Sequence, residues 1–181
     1  MKKIIIRDYD PAWPSMFDSL CRFIWPHIMG QAICIEHVGS TSVRGLAAKP
    51  VIDIDIIVDS QESSSSVIKS LENLGYKHLG DLGIADREAF AQPSTLSDHN
   101  LYVCRNGSLA VRNHLALRDI LRSRPDSAVE YGELKKKLAR RHERDMDAYV
   151  EGKTKFILGL LKDSGFTQLE LSNISGANKK K

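Results

Sequence analysis

The sequence lacks the marks of a disulfide-stabilised, exported or membrane-spanning protein. Its three cysteines, Cys21, Cys34 and Cys104, are odd in number and form no CxxC pair, so thiolate metal chemistry is not expected and buried reduced thiols are. No apolar run approaches the roughly 20 residues of a transmembrane helix. The N-terminal MKKIII has only three consecutive isoleucines before Arg7, Asp8 and Asp10; it offers no signal-peptide core, and a cytoplasmic location is expected. No internal repeat occurs at a solenoid period. Charge of one sign is also scarce, because a net charge of +3 and a pI near 8.7 fall short of the asymmetry of a dedicated nucleic-acid binder.

What is present is an ordinary globular composition, 42% hydrophobic and 27% charged over 181 residues, enough for one domain with a self-sufficient core. Phe17, Leu20, Ile24 and Ile28 recur at helical spacing behind the Pro11 and Pro14 turn, predicting a first helix from about residue 14. Residues 32–38 read as a strand, and 41–48 as a short helix that must end before Pro50. Residues 51–58 hold only valine, isoleucine and two aspartates, the composition of a central strand. A serine run at 63–66 opens a second helix closed by Gly75. Strands are expected at 76–79, 87–92 and 99–104. From residue 112 the pattern is helical, with a start at Pro125, a helical stretch over 129–149 and another around Phe156, Ile157, Leu160 and Leu161. The order predicts an α/β or α+β domain over 1–163, a mixed sheet flanked by helices with a helical part over 112–163; residues 164–181 read as a frayed tail.

Residues 36–58, EHVGSTSVRGLAAKPVIDIDIIV, concentrate the chemistry. Asp53 and Asp55 share one face of an apolar strand, where unpaired carboxylates cost several kcal/mol and a shared divalent cation, Mg²⁺ or Mn²⁺, would offset that cost. The bland alternative is pairing with lysine or arginine. Gly39, Ser40, Thr41 and Ser42 fall between a strand and an expected helix, where amides and hydroxyls could cradle a phosphate. Lys49 precedes the aspartate strand. His114, Arg118 and Arg122 lie at i, i+4 and i+8, a cationic line that could meet phosphates or pair with nearby acids; function is favoured for His114 and Arg118, pairing for Arg122. The basic run KKKLARRHER at 135–144 reads as a solvated helix face, with an RNA-contacting stripe as the rival.

These residues resemble a known family. Val38-Gly39-Ser40 followed by Asp53-Ile54-Asp55-Ile56 is similar to the nucleotidyltransferase superfamily signature. YDPAWP at 9–14, EHVGSTSV at 36–43, GLAAKPVIDIDI at 45–56, HNLYV at 99–103, HLALRDILR at 114–122 and YGELKKKLA at 131–139 look like the GrpB family. The resemblance covers about residues 7–162. It implies a nucleotidyltransferase fold, in some relatives fused to dephospho-CoA kinase, and no settled reaction.

The expectation is therefore a protein that binds a nucleoside triphosphate or related phosphorylated small molecule with Mg²⁺. Asp53 and Asp55 would hold the metal, and Gly39 to Ser42, Lys49, Tyr102, His114 and Arg118 would hold the substrate. A nucleotidyl group would pass to an acceptor hydroxyl or phosphate; the rival is a non-catalytic binding module. Two departures from the family stand out. Arg44 replaces a common proline, loosening the loop or adding a cation facing a phosphate. The third carboxylate usual in active nucleotidyltransferases is missing from the strand at 99–104, which offers His99, Asn100 and Tyr102 instead; Asp98 and Glu88 are the substitutes nearest in sequence, and His99 is the candidate metal ligand or base.

Overall fold

The structure, a computed structural model, describes residues 3–178. Among these residues six α-helices and five strands follow in the order α1 (Trp13–Ile28), β1 (Cys34–Val38), β2 (Ile52–Val58), α2 (Gln61–Asn73), β3 (Lys77–Gly80), β4 (Arg87–Ala91), β5 (His99–Arg105), α3 (Leu109–Ser123), α4 (Pro125–Arg141), α5 (Met146–Lys162) and α6 (Gln168–Ala177). The strands form one mixed sheet in the order β1-β2-β5-β4-β3, with β2 and β5 parallel and the other neighbours antiparallel.

Strand alternation divides the chemistry between two faces. Ile52, Ile54, Ile56 and Val58 of β2 join Leu101 and Val103 of β5 in a core closed by Leu20, Ile24 and Ile28 of α1 and Val67 and Leu71 of α2. Asp53, Asp55 and Ile57 point the other way, where Ile57 and Cys104 pack on Val111 of α3. The helices α3 to α6 cover this second side with their own core, including Leu121, Tyr131, Ile157 and Leu161. Trp13 is buried and meets Tyr9 edge-on at 5.4 Å, which fastens the N-terminal arm; the arm also pairs Arg7 with Ala48.

Three boundaries differ from the sequence expectation. The segment expected as a helix at 41–48 holds only a single 3₁₀ turn, Ser40–Ser42, because Gly45 takes a φ of +81° and Pro50 blocks continuation. The turn therefore offers no α-helix terminus to a phosphate. The stretch expected over 129–149 is divided at His142, with Asp145 capping α5. The expected tail carries α6, whose Leu171 and Ile174 are buried and whose start has a complete capping box of Thr167 and Glu170. Residues 179–181, the rest of that expected tail, lie outside the described residues. Among the described residues no helix is long and apolar enough to cross a membrane.

Candidate functional site

Gly39 fixes how the loop meets the sheet. Its φ is +67°, and a Cβ placed there would lie 2.1 Å from Asp53 Oδ2, so only glycine lets the turn descend onto the carboxylate. The turn is held from several sides. Ser42 Oγ donates to the Gly39 carbonyl at 2.6 Å, Thr41 Oγ1 bonds His37 Nε2 at 3.0 Å, and Arg122 sends Nε and Nη2 to the Ser42 carbonyl at 3.1 and 3.0 Å. Thr41 is buried and serves the turn itself. Ser40 instead receives the Lys135 ammonium, Nζ to Oγ at 2.7 Å.

The two carboxylates differ in environment. Asp53 Oδ1 accepts from Asn100 Nδ2 at 2.7 Å, and burial pushes its carboxyl up despite that bond and the nearby Lys49 and His114. Asp55 is wholly buried; its Oδ2 meets His114 Nδ1 at 2.7 Å, while Oδ1 has no hydrogen-bond partner. Burial disfavours the His114 imidazolium, but the charge and hydrogen bond of Asp55 outweigh it and hold the imidazole above its ordinary value. An orphaned oxygen at zero exposure is costly. With Asp53 two residues away on the same strand face, it could serve a hard divalent cation whose other ligands come from a bound molecule. Among the described residues no three acid, histidine or cysteine side chains converge to hold a metal unaided.

A cavity of about 310 Å³ opens between this edge of the sheet and helices α3, α4 and α5. Lys49, Lys135 and Lys153 line it together with Asp53. Lys135 is 2% exposed and lies 4.6 Å from the Tyr131 ring centre. Burial, with Lys153 and Lys49 adding repulsion against the pull of Asp53, brings its ammonium down to about 6. Lys153 sits 4.7 Å from the Tyr149 ring centre, and burial beside Lys49 lowers it to about 8. Three lysines around one accessible carboxylate leave the cavity with an excess of latent positive charge.

The cavity gathers Gly39, Ser40, Thr41, Lys49, Asp53, Tyr102, His114 and Arg118 from the expected set. Asp55 stands behind Asp53 on the same face, and Ser42 braces the turn through the contacts above. Arg118 is already engaged, by Glu36 at 2.6 Å, Asp119 at 2.8 Å and the His37 carbonyl at 3.2 Å. Arg122 belongs neither to a phosphate line nor simply to a surface pair, since it clamps the turn. Arg44 is exposed and lines none of this.

His99 lies away from the aspartates and does not join them, contrary to the sequence expectation. In β5 it pairs with Ile52, on the parity of the apolar core, and its Nε2 and Nδ1 are taken by Tyr76 Oη at 2.8 Å and the Ser97 carbonyl at 2.7 Å. It is a buried structural residue on the face opposite Asp53 and Asp55, not a ligand or base for them. The suggested substitute acids are also elsewhere: Glu88 bonds His78 at 2.7 Å and exposed Asp98 accepts from Gln92. Asn100 holds the register position beside Asp53 and is a donor, not an acid.

Lys135 and Lys153 were missed as site residues. The run at 135–144 is not one surface: Lys135 is buried in the cavity, Lys136 pairs with Asp8 at 2.8 Å and Glu133 at 2.9 Å, and Lys137, Arg140 and Arg141 are exposed. A signal existed, because the buried positions of α4, namely Ala128, Tyr131, Gly132, Lys135 and Ala139, repeat at helical spacing with Lys135 among them.

Comparison with known proteins bears on the family and the fold. A family model described as GrpB protein matches residues 3–163. The UPF0157 protein YqkA of Bacillus subtilis is 35% identical over 156 residues, covering 86% of this chain and 46% of its own length. The UPF0157 protein BH1888 of Halalkalibacterium halodurans is 33% identical, covering 91% of this chain and 84% of its own. The chain thus spans less than half of the first relative and most of the second. A dephospho-CoA kinase of Mycolicibacterium paratuberculosis matches at 26% identity over 78% of this chain and 41% of its own. The crystal structure of conserved protein GrpB from Enterococcus faecalis superposes with a TM-score of 0.79 at 31% identity, covering 93% of this chain and 98% of that one. Terminal uridylyl transferase 4 from Trypanosoma brucei, with bound CTP, gives a TM-score of 0.50 at 13% identity over 89% of this chain and 54% of that one, a likeness of fold.

Proposed function

Because this chain belongs to the GrpB family and has a nucleotidyltransferase-like fold, we propose that its cavity binds a nucleoside triphosphate or a related phosphorylated compound together with Mg²⁺. The observation that carries the reading is the convergence of Asp53, Lys49, Lys135 and Lys153 on the Gly39–Ser42 turn in one cleft. The lysines would neutralise a phosphate chain, and Ser40 and the turn would orient it. Asp53 and Asp55 would hold the cation, whose contribution is to neutralise charge on the phosphates. Arg122 and Gly39 would keep the turn against the carboxylates, and His114 would keep Asp55 oriented.

If transfer occurs, an acceptor oxygen forms a bond to the α-phosphorus while the α–β bridging bond breaks and pyrophosphate leaves, its acceptor proton going to solvent. Isothermal titration with ATP, GTP, CTP and UTP, each with and without Mg²⁺, tests the binding. Saturable heat with at least one triphosphate, abolished in the Asp53→Asn, Asp55→Asn double variant, is expected; no heat with any of the four overturns the reading.

One observation favours a second reading, a binding module without turnover. Asn100 stands beside Asp53 where a third acid would complete the carboxylate set. Pyrophosphate release over a panel of acceptors separates the two: nucleotide binding with no release supports the module. An RNA-associated role has less to stand on, since neutralising Lys135 would alter a cavity and not an outer stripe.

A further inference from the structure

Behind the first cavity lies a second, of about 430 Å³, between Arg87, the segment preceding it, α3 and α6. The two share Asn113, His114 and Asn178, so the Asp55-bound imidazole stands at their junction. The walls of the second chamber are largely apolar, with Ile84, Leu109, Ala110 and Ile174 among them. Its outer wall is firm. The Arg112 guanidinium pairs with Glu170 and lies 5.0 Å from the Phe166 ring centre, while Leu171 and Ile174 of α6 are buried in the helical core.

Two polar groups on this chamber are unexplained by the fold. Arg87 stacks its guanidinium 4.5 Å from the Tyr102 ring centre, yet its Nε is buried without a hydrogen-bond partner. The neighbouring Asp86 pairs with Arg105 at 3.3 Å instead. Asn113 Oδ1 is likewise buried and unpartnered. A buried donor of a cation and a buried acceptor on one apolar chamber call for a ligand with the opposite pair. The stack on Tyr102 restrains the guanidinium plane, which favours a forked contact with an oxyanion over a loose ionic one.

The geometry points to a second subsite that takes a small oxyanion bearing a neighbouring hydroxyl, a phosphate monoester or a carboxylate, with the anion on Arg87 and the hydroxyl donating to Asn113. Its position beside the junction at His114 makes it the place for the acceptor. That role rests on the nucleotide reading above, whereas the binding itself does not. The inward walls from α6 also lie beyond residues 3–163, the part matched by the family model.

The test follows the Arg87 Nε–H resonance of the full-length, ¹⁵N-labelled protein, assigned by its loss in Arg87→Lys. Glycerol 3-phosphate and glycerate are the two anionic probes, and glycerol is the neutral control. A saturable shift with either anion and none with glycerol is expected. Affinity in the variants is read by calorimetry with the same anions, since Arg87→Lys lacks the reporter; it should weaken about tenfold or more in Arg87→Lys, where charge remains but the fork is gone, and persist in Lys135→Met, which alters only the first cleft. The tighter of the two anions identifies the source as phosphate or carboxylate. No movement of Arg87 Nε–H with either anion, or equal affinity in Arg87→Lys with its spectrum otherwise intact, overturns the subsite. A shift at Arg87 in a protein that gives no heat with any triphosphate upholds the subsite and removes the nucleotide reading alone.

Discussion

Gly39 and Lys135 carry the most testable chemistry of single residues. Gly39→Ala requires a left-handed backbone that costs about 1–2 kcal/mol and drives a methyl group into Asp53. A lowered melting temperature and at least roughly tenfold weaker triphosphate binding are expected by thermal shift and calorimetry. Lys135 tests through pH. Its ammonium falls from the ordinary 10.5 to about 6 in the fold, chiefly by burial, so between those values the unfolded chain binds more protons and stability rises with pH. Lys135→Met removes this dependence. Wild type should therefore gain on the variant by something on the order of a few kcal/mol between pH 6 and pH 9.5, read by urea denaturation. Lysines in a run look alike as letters, and what separated Lys135 from Lys136 and Lys137 was its place on the buried stripe with Tyr131 and Gly132.

Elements with a clear period were the most legible in the sequence, and pairings between distant elements were the least. The central strand β2 and the first turn of α4 at Pro125 follow from composition and proline placement. The register of β5 against β2 does not, and it decides that Asn100 and Tyr102 share the aspartate face while His99 joins the core. Helix α6 is hard to read because two serines, an asparagine and a glycine dilute its apolar positions, though the spacing of Thr167 and Glu170 marks its start. The link between α3 and β2 gives a prediction at this scale. His114→Ala would leave Asp55 buried without its counter-charge, and a loss of about 3–5 kcal/mol is expected in chemical denaturation.

Across the whole molecule, the sheet supplies the acids and the helical lobe supplies Lys135 and Lys153, so the cavity exists only where the two layers meet. Both lysines release protons more readily than exposed ones, to about 6 and about 8. A polyanion entering between them raises both affinities for protons. Triphosphate binding at pH 7.5 should therefore take up protons, seen as a dependence of the calorimetric heat on the ionisation enthalpy of the buffer. At pH 5.5, below both values, the Lys135 and Lys153 share of that uptake should be much smaller.

The alternation along β2 also governs how this protein can change. Even positions 52, 54, 56 and 58 carry the core, while odd position 53 lines the cleft with buried Asp55 behind it, interleaved at single-residue resolution. A substitution can therefore alter one without touching the other, whereas inserting or deleting one residue exchanges the two sets and ruins both. In a saturation library scored for abundance and ligand binding, Asp53 variants should separate from Ile52 and Ile54 variants, and frame-preserving single-codon deletions in this strand should be lost by either score.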